Sequence, residues 1–374
     1  MTDAFPAPAR PLRLGLVGGG RGLIGRVHAN GARLSGRWTL VAGALSSRPE
    51  LAAELAAAWQ IDPSRSYADW QEMARAEAAR EDGVDAVAIV TPNNLHAPVA
   101  RAFMERGIDV ICEKPLAPTL DDARDLAHAA RKAGVIFGVT YPYAAHAMVR
   151  QARAMVARGM LGEIRQVHVE YFQEWAIDVG DSDARTRWRL DPAVNGPSLT
   201  LADIGTHAEH LVRFVTGRDI DAVSAAFHVT GAPKSLEDTA FAQMRLAGDV
   251  PATLMVSQAF AGTHCGLRIR VAGSQASLDW NAETPEFLDF RPVRAPAQRL
   301  SRGHGAGILP EAERLVRMPR GHPEALTDAW ANLYLEFGVA IDARRRGLEL
   351  EPGLLQHPTL EDGLKGLCFV DAAV

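Results

Sequence analysis

A glycine-rich turn near the N-terminus has the residue types that a phosphate-bearing cofactor requires. Three glycines at 18–20 follow the apolar run Leu12–Val17, and a helix-compatible stretch, Ile24–Leu34, comes next. A pair of phosphates needs close approach of the backbone and free N–H groups at a helix N-terminus. The pattern predicts a dinucleotide site; because its spacing is wider than G-x-G-x-x-G, an ordinary glycine-rich turn is the alternative. The expected cofactor-binding residues of this turn are Gly18, Gly20, Arg21 and Gly25.

The residues after the second apolar run indicate which dinucleotide binds. An NAD-preferring site usually has Asp or Glu there, about twenty residues after the glycines, to hold the ribose hydroxyls. This chain instead has Ser46, Ser47 and Arg48. Two hydroxyls and a guanidinium suit a 2′-phosphate, because Arg binds it bidentately and no carboxylate repels it. The pattern favours NADP over NAD; helix capping by the serines and a solvated Arg48 are the alternative.

Polar residues also follow the third apolar run, Val84–Val90. In a parallel sheet this loop lies at the edge that faces the cofactor. The expected contacts are Thr91, Pro92, Asn93 and His96, with Asn93 at the ribose or carboxamide and His96 above the nicotinamide. Simple turn and cap chemistry for the asparagine is an equally weighted alternative.

A lysine lies just after the fourth apolar run. Glu113, Lys114 and Pro115 follow Ile108–Cys112. The residue before a proline is held in an extended or turn conformation, so Lys114 is expected to point into the crevice and not to lie on a helix surface. The sequence therefore predicts Glu113 and Lys114 beside the cofactor.

These candidate residues lie at the ends of strands that alternate with helices. Apolar runs and helical stretches follow one another from Leu12 to Thr140, which predicts a doubly wound parallel sheet, a Rossmann fold. Alternating segments between Val167 and Ala272 predict a second, mostly antiparallel sheet whose open face could pack on a partner subunit. The predicted fold class is α/β, with a Rossmann domain at 1–143 and an α+β domain at 144–374.

The C-terminal third is predicted to be less regular. Pro292–Pro319 is rich in Arg, Pro and Gly and is expected to be a long loop. Helices over Pro323–Arg345 and from Leu360 onward are expected to end the chain, where they can pack back on the first domain.

Composition excludes several classes of protein. The 374 residues suggest two domains, and 47% apolar with 23% charged residues is ordinary for a globular protein. Forty basic against forty-five acidic residues give no basic field, so nucleic acid is not an expected partner.

The cysteines and the apolar runs bear on the compartment. Cys112, Cys265 and Cys368 form no CxxC pair, which predicts a reducing compartment, the cytoplasm. No apolar run approaches the roughly 18 residues of a membrane span, and Met1–Arg10 has no apolar signal region, so neither anchor nor secretion signal is expected.

Two motifs together resemble a known family. The tripeptide Glu113–Pro115 and the D-x-G-x-H motif in Leu201–His207, about ninety residues later, resemble the Gfo/Idh/MocA oxidoreductases, as do the glycine turn and the loop at 91–93. The resemblance covers nearly the whole chain. It implies a Rossmann domain, a second domain whose open sheet often serves oligomerisation, and NAD(P)-dependent oxidation or reduction of a sugar, polyol or related hydroxyl compound. A homodimer or homotetramer is therefore expected.

The resemblance also implies three catalytic roles. Lys114 is similar to the lysine that bonds the reacting oxygen and the nicotinamide ribose, while Asp203 and His207 are similar to the carboxylate and the general acid/base. Alcohol oxidation needs a base for the hydroxyl proton and a cation for the developing alkoxide, which agrees with these types. At a helix start Asp203 and His207 would share a face. A structural core histidine is the alternative for His207.

Further residues are expected to line the substrate pocket. Where many members of the family carry an arginine after the fifth strand, this chain has Tyr141 and Tyr143, so the resemblance does not specify which sugar or polyol the chain binds. Before the D-x-G-x-H motif, Trp188 could stack on a sugar ring and Arg187 or Arg189 could bond hydroxyls or an acidic group; a surface anchor is the alternative. The expected substrate contacts are Tyr141, Tyr143, Trp188, Arg189 and His207.

Other functions stay open at this point. A metal site seeded by Asp203 and His207, with Glu209 or His210, lacks a convincing third ligand cluster, so no metal is predicted. Some members of the family cleave glycosidic bonds by transient oxidation, and a non-catalytic cofactor or sugar sensor is a further alternative.

Overall fold

The computed structural model describes residues 4–181 and 187–374. Residues 182–186 and the side chain of Arg187, a predicted substrate contact, lie outside the described residues. The described chain divides into two compact units. The first unit comprises residues 4–142 with Thr327–Leu364, and the second comprises the rest of Tyr143–Leu326 with Lys365–Val374. A C-terminal stretch therefore completes the unit that begins the chain.

A parallel sheet with strand order β2-β1-β3-β4-β5 forms the centre of the first unit. Its described strands are β1 (Leu12–Gly18), β2 (Trp38–Ala44), β3 (Ala86–Val90), β4 (Asp109–Cys112) and β5 (Phe137–Val139). Its helices are α1 (Leu23–Leu34), α2 (Pro49–Ala58), α3 (Trp70–Ala78), α4 (His96–Met104) and α5 (Leu120–Ala133). Strand order reverses at β1, which lies between β2 and β3, so a ligand crevice is expected at the carboxyl ends of β1 and β3.

The second unit contains a sheet with strand order β13-β12-β11-β10-β6-β9-β8-β7, in which only β6 and β9 pair in parallel among the described strands. The strands are β6 (Ile164–Phe172), β7 (Ile220–His228), β8 (Thr239–Leu246), β9 (Val250–Ser257), β10 (Gly266–Gly273), β11 (Ala276–Asn281), β12 (Phe287–Pro292) and β13 (Gln298–Ser301). The remaining α-helices of the described residues are α6 (Ala147–Ala157), α7 (Pro192–Asn195), α8 (Thr206–Thr216), α9 (Pro310–Glu313), α10 (Leu326–Arg346) and α11 (Leu360–Ala373). The predicted α/β fold class, a doubly wound parallel sheet plus a mostly antiparallel open sheet, is confirmed.

The two faces of the second sheet differ in polarity. In β8 the buried Ala242 and Met244 alternate with the exposed Phe241 and Gln243. The buried side chains share a core with α6 and α8. On the opposite face, the carboxylate of Asp279 binds the guanidinium groups of three arginines, Arg268, Arg270 and Arg291. This alternation of apolar and polar residues is typical of a sheet covered on one face.

Part of the predicted loop is wrong. Pro292–Pro319 contains strand β13, which pairs with β12, and the short helix α9. Arg299 of β13 forms an ion pair with Asp289 of β12 at 2.8 Å, so its charge marks the polar face of an edge strand and not a loop.

A buried carboxylate, Asp85, fixes the amino ends of β1 and β3 in the first unit. The Asp85 side chain, just before β3, is 3% exposed and accepts hydrogen bonds from Arg10 at 2.7 and 2.8 Å, from the Arg13 amide at 2.6 Å, and from Arg345 of α10. Burial alone would raise the pKa of Asp85, but these partners outweigh it and lower the pKa to about 2. The cluster links the N-terminal segment, the sheet and α10.

Candidate functional site

The glycine turn is built by close backbone contacts that exclude side chains. Gly18 and Gly19 have φ angles of +78° and +69°. A Cβ at Gly18 would lie 2.6 Å from the carbonyl oxygen of Val90, and one at Gly25 would lie 2.2 Å from that of Gly19. A Cβ at Gly20 would likewise lie 2.7 Å from the carbonyl oxygen of Leu45 and from a methyl group of Leu55. These contacts hold the start of α1 directly against the turn.

The N-terminus of α1 is open to an anion. Its N-cap residue, Gly22, makes no side-chain capping bond, and the described residues of the first turn include no acid. Arg21 beside it is exposed. At the end of β3, the hydroxyl of Thr91 is buried and has no hydrogen-bond partner in the described chain. Helix N–H groups without intrahelical partners, a guanidinium and an unpaired hydroxyl fit the diphosphate and ribose of a dinucleotide.

The segment after β2 has a defined local structure. The backbone amide of Arg48 donates to the hydroxyl of Ser46 at 3.1 Å, and Arg48 itself is the N-cap residue of α2. Ser46 therefore orders the turn before α2 without capping the helix. Ser47 and Arg48 are exposed, which leaves a hydroxyl and a guanidinium in solvent at the carboxyl end of β2.

The loop after β3 is tied to the segment after β4. Asn93 is 7% exposed in a single 3₁₀ turn, while Pro92 is exposed. His96 is 1% exposed, with its ring nitrogens 2.9 Å from the carbonyl oxygen of Pro115 and 3.0 Å from that of Thr91. Burial lowers the pKa of His96, so the neutral ring donates to one of these two carbonyls. A contact of His96 with nicotinamide stays a prediction.

Glu113 belongs to a buried hydrogen-bond chain next to Lys114. Its Oε1 accepts from the His28 ring at 3.0 Å and from the Thr140 hydroxyl at 2.5 Å, and the other ring nitrogen of His28 lies 2.7 Å from the Tyr334 hydroxyl. Burial alone would raise the pKa of Glu113, but the hydrogen bond from His28 and the charge of Lys114 lower it. These hydrogen bonds therefore anchor the backbone next to Lys114.

Asp203 and His207 lie at an irregular helix start in the second unit. A π-helical turn, Leu201–Gly205, runs directly into α8. A Cβ at Gly205 would lie 2.7 Å from a methyl group of Leu201, so glycine suits this tight turn. The Asp203 side chain is 21% exposed and His207 is 9% exposed. Such turns occur frequently at functional sites.

Tyr143 contacts His207 directly. Their rings meet edge to face with centroids 5.1 Å apart. The Tyr143 hydroxyl lies 2.6 Å from that of Tyr171, and the two hydroxyls lie 3.4 and 3.1 Å from the sulfur of Cys265. Burial raises the pKa of both tyrosines, so their hydroxyls stay protonated at neutral pH. Tyr141, which is 1% exposed, belongs to the first unit.

Arg189, a predicted substrate residue, contacts both Asp203 and two tryptophan rings. The Arg189 guanidinium lies over the rings of Trp188 and Trp175, 4.7 and 5.6 Å from their centroids, and 3.4 Å from Oδ2 of Asp203. The amide of Gln258 donates to the same oxygen at 2.8 Å. Both tryptophans are 37% exposed, so each retains ring surface for a ligand. Trp175 and Gln258 were not predicted from the sequence.

Two family models match the chain. The model described as "Oxidoreductase family, NAD-binding Rossmann fold" covers residues 12–141, and "GFO/IDH/MocA C-terminal domain" covers residues 149–279. The chain belongs to the Gfo/Idh/MocA oxidoreductase family. This membership confirms the resemblance found in the sequence, and with it an NAD(P)-dependent oxidoreductase with an NAD-binding Rossmann domain.

Similar proteins align with this chain over three quarters of its length or more. The uncharacterized oxidoreductase YfiI of Bacillus subtilis is 35% identical, over 98% of this chain and 94% of its own. The inositol dehydrogenase homolog of Azotobacter vinelandii, solved with NADH and myo-inositol, is 37% identical with a TM-score of 0.90, over 100% of this chain and 97% of its own. The levoglucosan dehydrogenase of Pseudarthrobacter phenanthrenivorans is 26% identical, over 77% of this chain and 78% of its own.

The described residues also bear on metal binding and on membrane insertion. Among them, no group of three or more His, Cys, Asp or Glu side chains is arranged to hold a metal ion. None of their helices combines the length and the apolar character that crossing a membrane requires.

Proposed function

We propose that the chain transfers a hydride between a nicotinamide nucleotide and a secondary hydroxyl or keto group of a sugar, inositol or related polyol. The observation that carries this proposal is a partly exposed carboxylate, Asp203, four residues before an imidazole, His207, on one helix start. Relatives whose names specify inositol and levoglucosan support the substrate class.

Three side chains, those of His207, Lys114 and Asp203, have separate roles in the proposed reaction. A nicotinamide nucleotide, when bound, accepts or returns the hydride. On oxidation the carbinol C–H bond breaks with its electron pair leaving as hydride, while an imidazole nitrogen of His207 takes the hydroxyl proton. The ammonium group of Lys114 stabilises the negative charge that develops on the reacting oxygen. Asp203 orients the substrate or the imidazole. On reduction His207 returns the proton.

The cofactor is proposed to contact the carboxyl ends of the first four strands. The glycine turn with Arg21 holds the phosphates, and the loop at 91–96 with Glu113 and Lys114 holds the ribose and nicotinamide. NADP is favoured over NAD, because the segment at 46–48 offers hydroxyls and a guanidinium without a carboxylate. The 1–143 domain would thus bind cofactor and the 144–374 domain substrate.

The substrate is proposed to contact aromatic and cationic side chains. Trp188 offers a ring for stacking, and Arg189, Tyr141 and Tyr143 offer donors for hydroxyl groups. We infer a homodimer or homotetramer formed through the open face of the second sheet, with neither nucleic acid nor membrane as a partner. We also infer a cytoplasmic location, because the three cysteines are free thiols, as expected in a reducing compartment.

A substrate screen with matched variants tests the proposal. Sugars, inositols and 1,5-anhydro or keto derivatives are offered with NADP and NAD in both directions, and absorbance at 340 nm reports net turnover. His207→Ala should lower the chemical step about 10²–10⁴-fold while cofactor affinity stays nearly unchanged. Lys114→Ala should lower the rate and weaken cofactor binding modestly.

Two outcomes would contradict it. If both variants kept wild-type rates across pH 6–9, the reaction would not depend on these residues. If glycosides were cleaved without net turnover of added NADP, the enzyme would act by transient oxidation instead.

A further inference from the structure

Gln258 links the Asp203 carboxylate to the start of its own helix. It follows β9 and is 0% exposed. Its Nε2 donates to Oδ2 of Asp203 at 2.8 Å, and its Oε1 accepts from the hydroxyl of Thr200 at 2.9 Å. The amide therefore joins the carboxylate to the residue that immediately precedes the π-helical turn.

The backbone around Gln258 is fixed on both sides. Its N–H donates to the carbonyl oxygen of Asp238, and its carbonyl oxygen accepts from the amide of Ala176, both at 2.8 Å. Asp238 is held in turn by a buried ion pair with Lys234 at 2.5 Å. Because these neighbours occupy both backbone groups, the Gln258 side chain starts from a rigid position.

The helix start that carries Asp203 is fixed by a second buried side chain, Glu237. Its carboxylate accepts hydrogen bonds of 2.6–3.2 Å from the Ser198 hydroxyl and from the backbone amides of Leu199, Thr200 and Leu201. Three consecutive N–H groups that would otherwise be unpaired at a helix start thus have an acceptor. Glu237 thus fixes the backbone just before Asp203, and the hydrogen bond from Gln258 reaches the Asp203 side chain itself.

We propose that Gln258 is the positioning residue for Asp203, holding its carboxylate in the orientation that the reaction uses. This inference rests on the proposed function, in which Asp203 orients the substrate or His207. Arg189, a second described partner of Oδ2, has a side chain that is 34% exposed and lies 3.4 Å away, so it fixes the carboxylate less closely. An amide also leaves the charge of Asp203 intact, whereas a cation at 2.8 Å would neutralise it.

A double-mutant cycle separates positioning from general support of the fold. Single-turnover hydride transfer is followed at 340 nm, with the best substrate of the polyol screen, for wild type, Gln258→Met, Asp203→Asn and the double variant. Gln258→Met keeps the volume but removes the donor, so the rate should fall about 10–100-fold, the scale for a small misplacement of a reacting group. In the Asp203→Asn background it should cause almost no further loss.

Gln151 supplies the matched control. It is 1% exposed in the same unit, and its amide bonds the carbonyl oxygen of Gly307 at 3.0 Å and the amide of Leu309 at 2.8 Å. Gln151→Met removes an equally buried amide without touching Asp203, so its effect on the rate should be small and independent of Asp203→Asn. If Gln258→Met does not fold, Gln258→Glu keeps the Thr200 contact and should show the same non-additive loss.

The outcomes distinguish this inference from the proposed function. If Asp203→Asn keeps the wild-type rate, the role of Asp203 in the proposed function fails. If Asp203→Asn loses activity and Gln258→Met does not, or if their losses multiply, only the positioning role fails. Thermal melting without substrate tests the contact even when no substrate reacts, with Asp203→Ala in place of Asp203→Asn because alanine removes the acceptor oxygen. Additive melting-temperature changes for Gln258→Met and Asp203→Ala would overturn the contact.

Discussion

Replacing Asp85 by asparagine is expected to destabilise the first unit by about 2 kcal/mol at pH 7. The partners of this 3% exposed carboxylate lower its pKa from the ordinary 3.8 to about 2. Each tenfold change in proton affinity corresponds to about 1.4 kcal/mol, so the lowered pKa represents a stabilisation of about 2 kcal/mol. Asparagine keeps the size of the side chain and one acceptor oxygen, but it removes the charge that Arg10 and Arg345 bind.

The effect should depend on pH in a defined direction. Because the pKa of Asp85 is lower in the folded than in the unfolded chain, its contribution is complete at neutral pH and is lost as the pH falls from about 4 towards 2. The difference in stability between wild type and Asp85→Asn should therefore shrink to about half by pH 3.

Thermal melting followed by circular dichroism measures both effects. A loss of about 2 kcal/mol should lower the melting temperature by about 4–8 °C for a unit of this size. Asp82→Asn is the control, since it makes the same charge change in the same unit at an exposed pair with Arg80, 2.7 Å away, and should melt like wild type. If Asp85→Asn also melted like wild type, or if the difference stayed constant from pH 7 to pH 3, the reasoning would be refuted.

Three further changes test the site and the assembly. Ser46→Asp puts a negative charge where the 2′-phosphate is proposed to bind, which should favour NAD by about 1–3 kcal/mol in calorimetric titration. A tenfold preference of the wild type for NAD would end the NADP proposal. Glu237→Ala leaves four donors at the Asp203 helix start without their acceptor and should lower both the melting temperature and the hydride-transfer rate; a melting temperature equal to that of wild type would show that the donors find other partners. Phe241→Asp on the open face of the second sheet, where Phe241 is 41% exposed, should shift the oligomer towards monomer in light scattering, and a monomeric wild type would contradict the interface.

The strands of the first unit could be predicted because each combines an apolar run with a clear end. In β3 the residues before Val90 are buried, and the sequence marks the end of the strand with Thr91 and Pro92. Glycines mark the end of β1 in the same way. The strands β11 and β12 were not predicted, because charged residues such as Asp279 and Arg291 interrupt them. Those charges pair across the open face of the sheet, an arrangement that depends on neighbours distant in the sequence.

The hydrogen-bond partners of the candidate site residues also could not be predicted from the sequence. His28 and Tyr334 meet across 306 positions, and Gln258 lies 55 positions from Asp203. A buried histidine, tyrosine or glutamine has no local pattern that distinguishes it from an ordinary core or surface residue. Lys114 and His207 could be singled out only because they belong to short motifs.

The division of the chain has a consequence for biosynthesis. An added Cβ at Gly31 would lie 2.9 Å from the Cβ of Trp330, and one at Gly138 would lie 2.2 Å from the ring of Phe337, so both glycines allow the close approach of α10. While the ribosome is still making the second unit, these surfaces have no cover. The first unit can therefore complete its core only after most of the chain has been synthesised. A fragment that ends at residue 142 should bind a hydrophobic dye strongly, whereas the full chain should not.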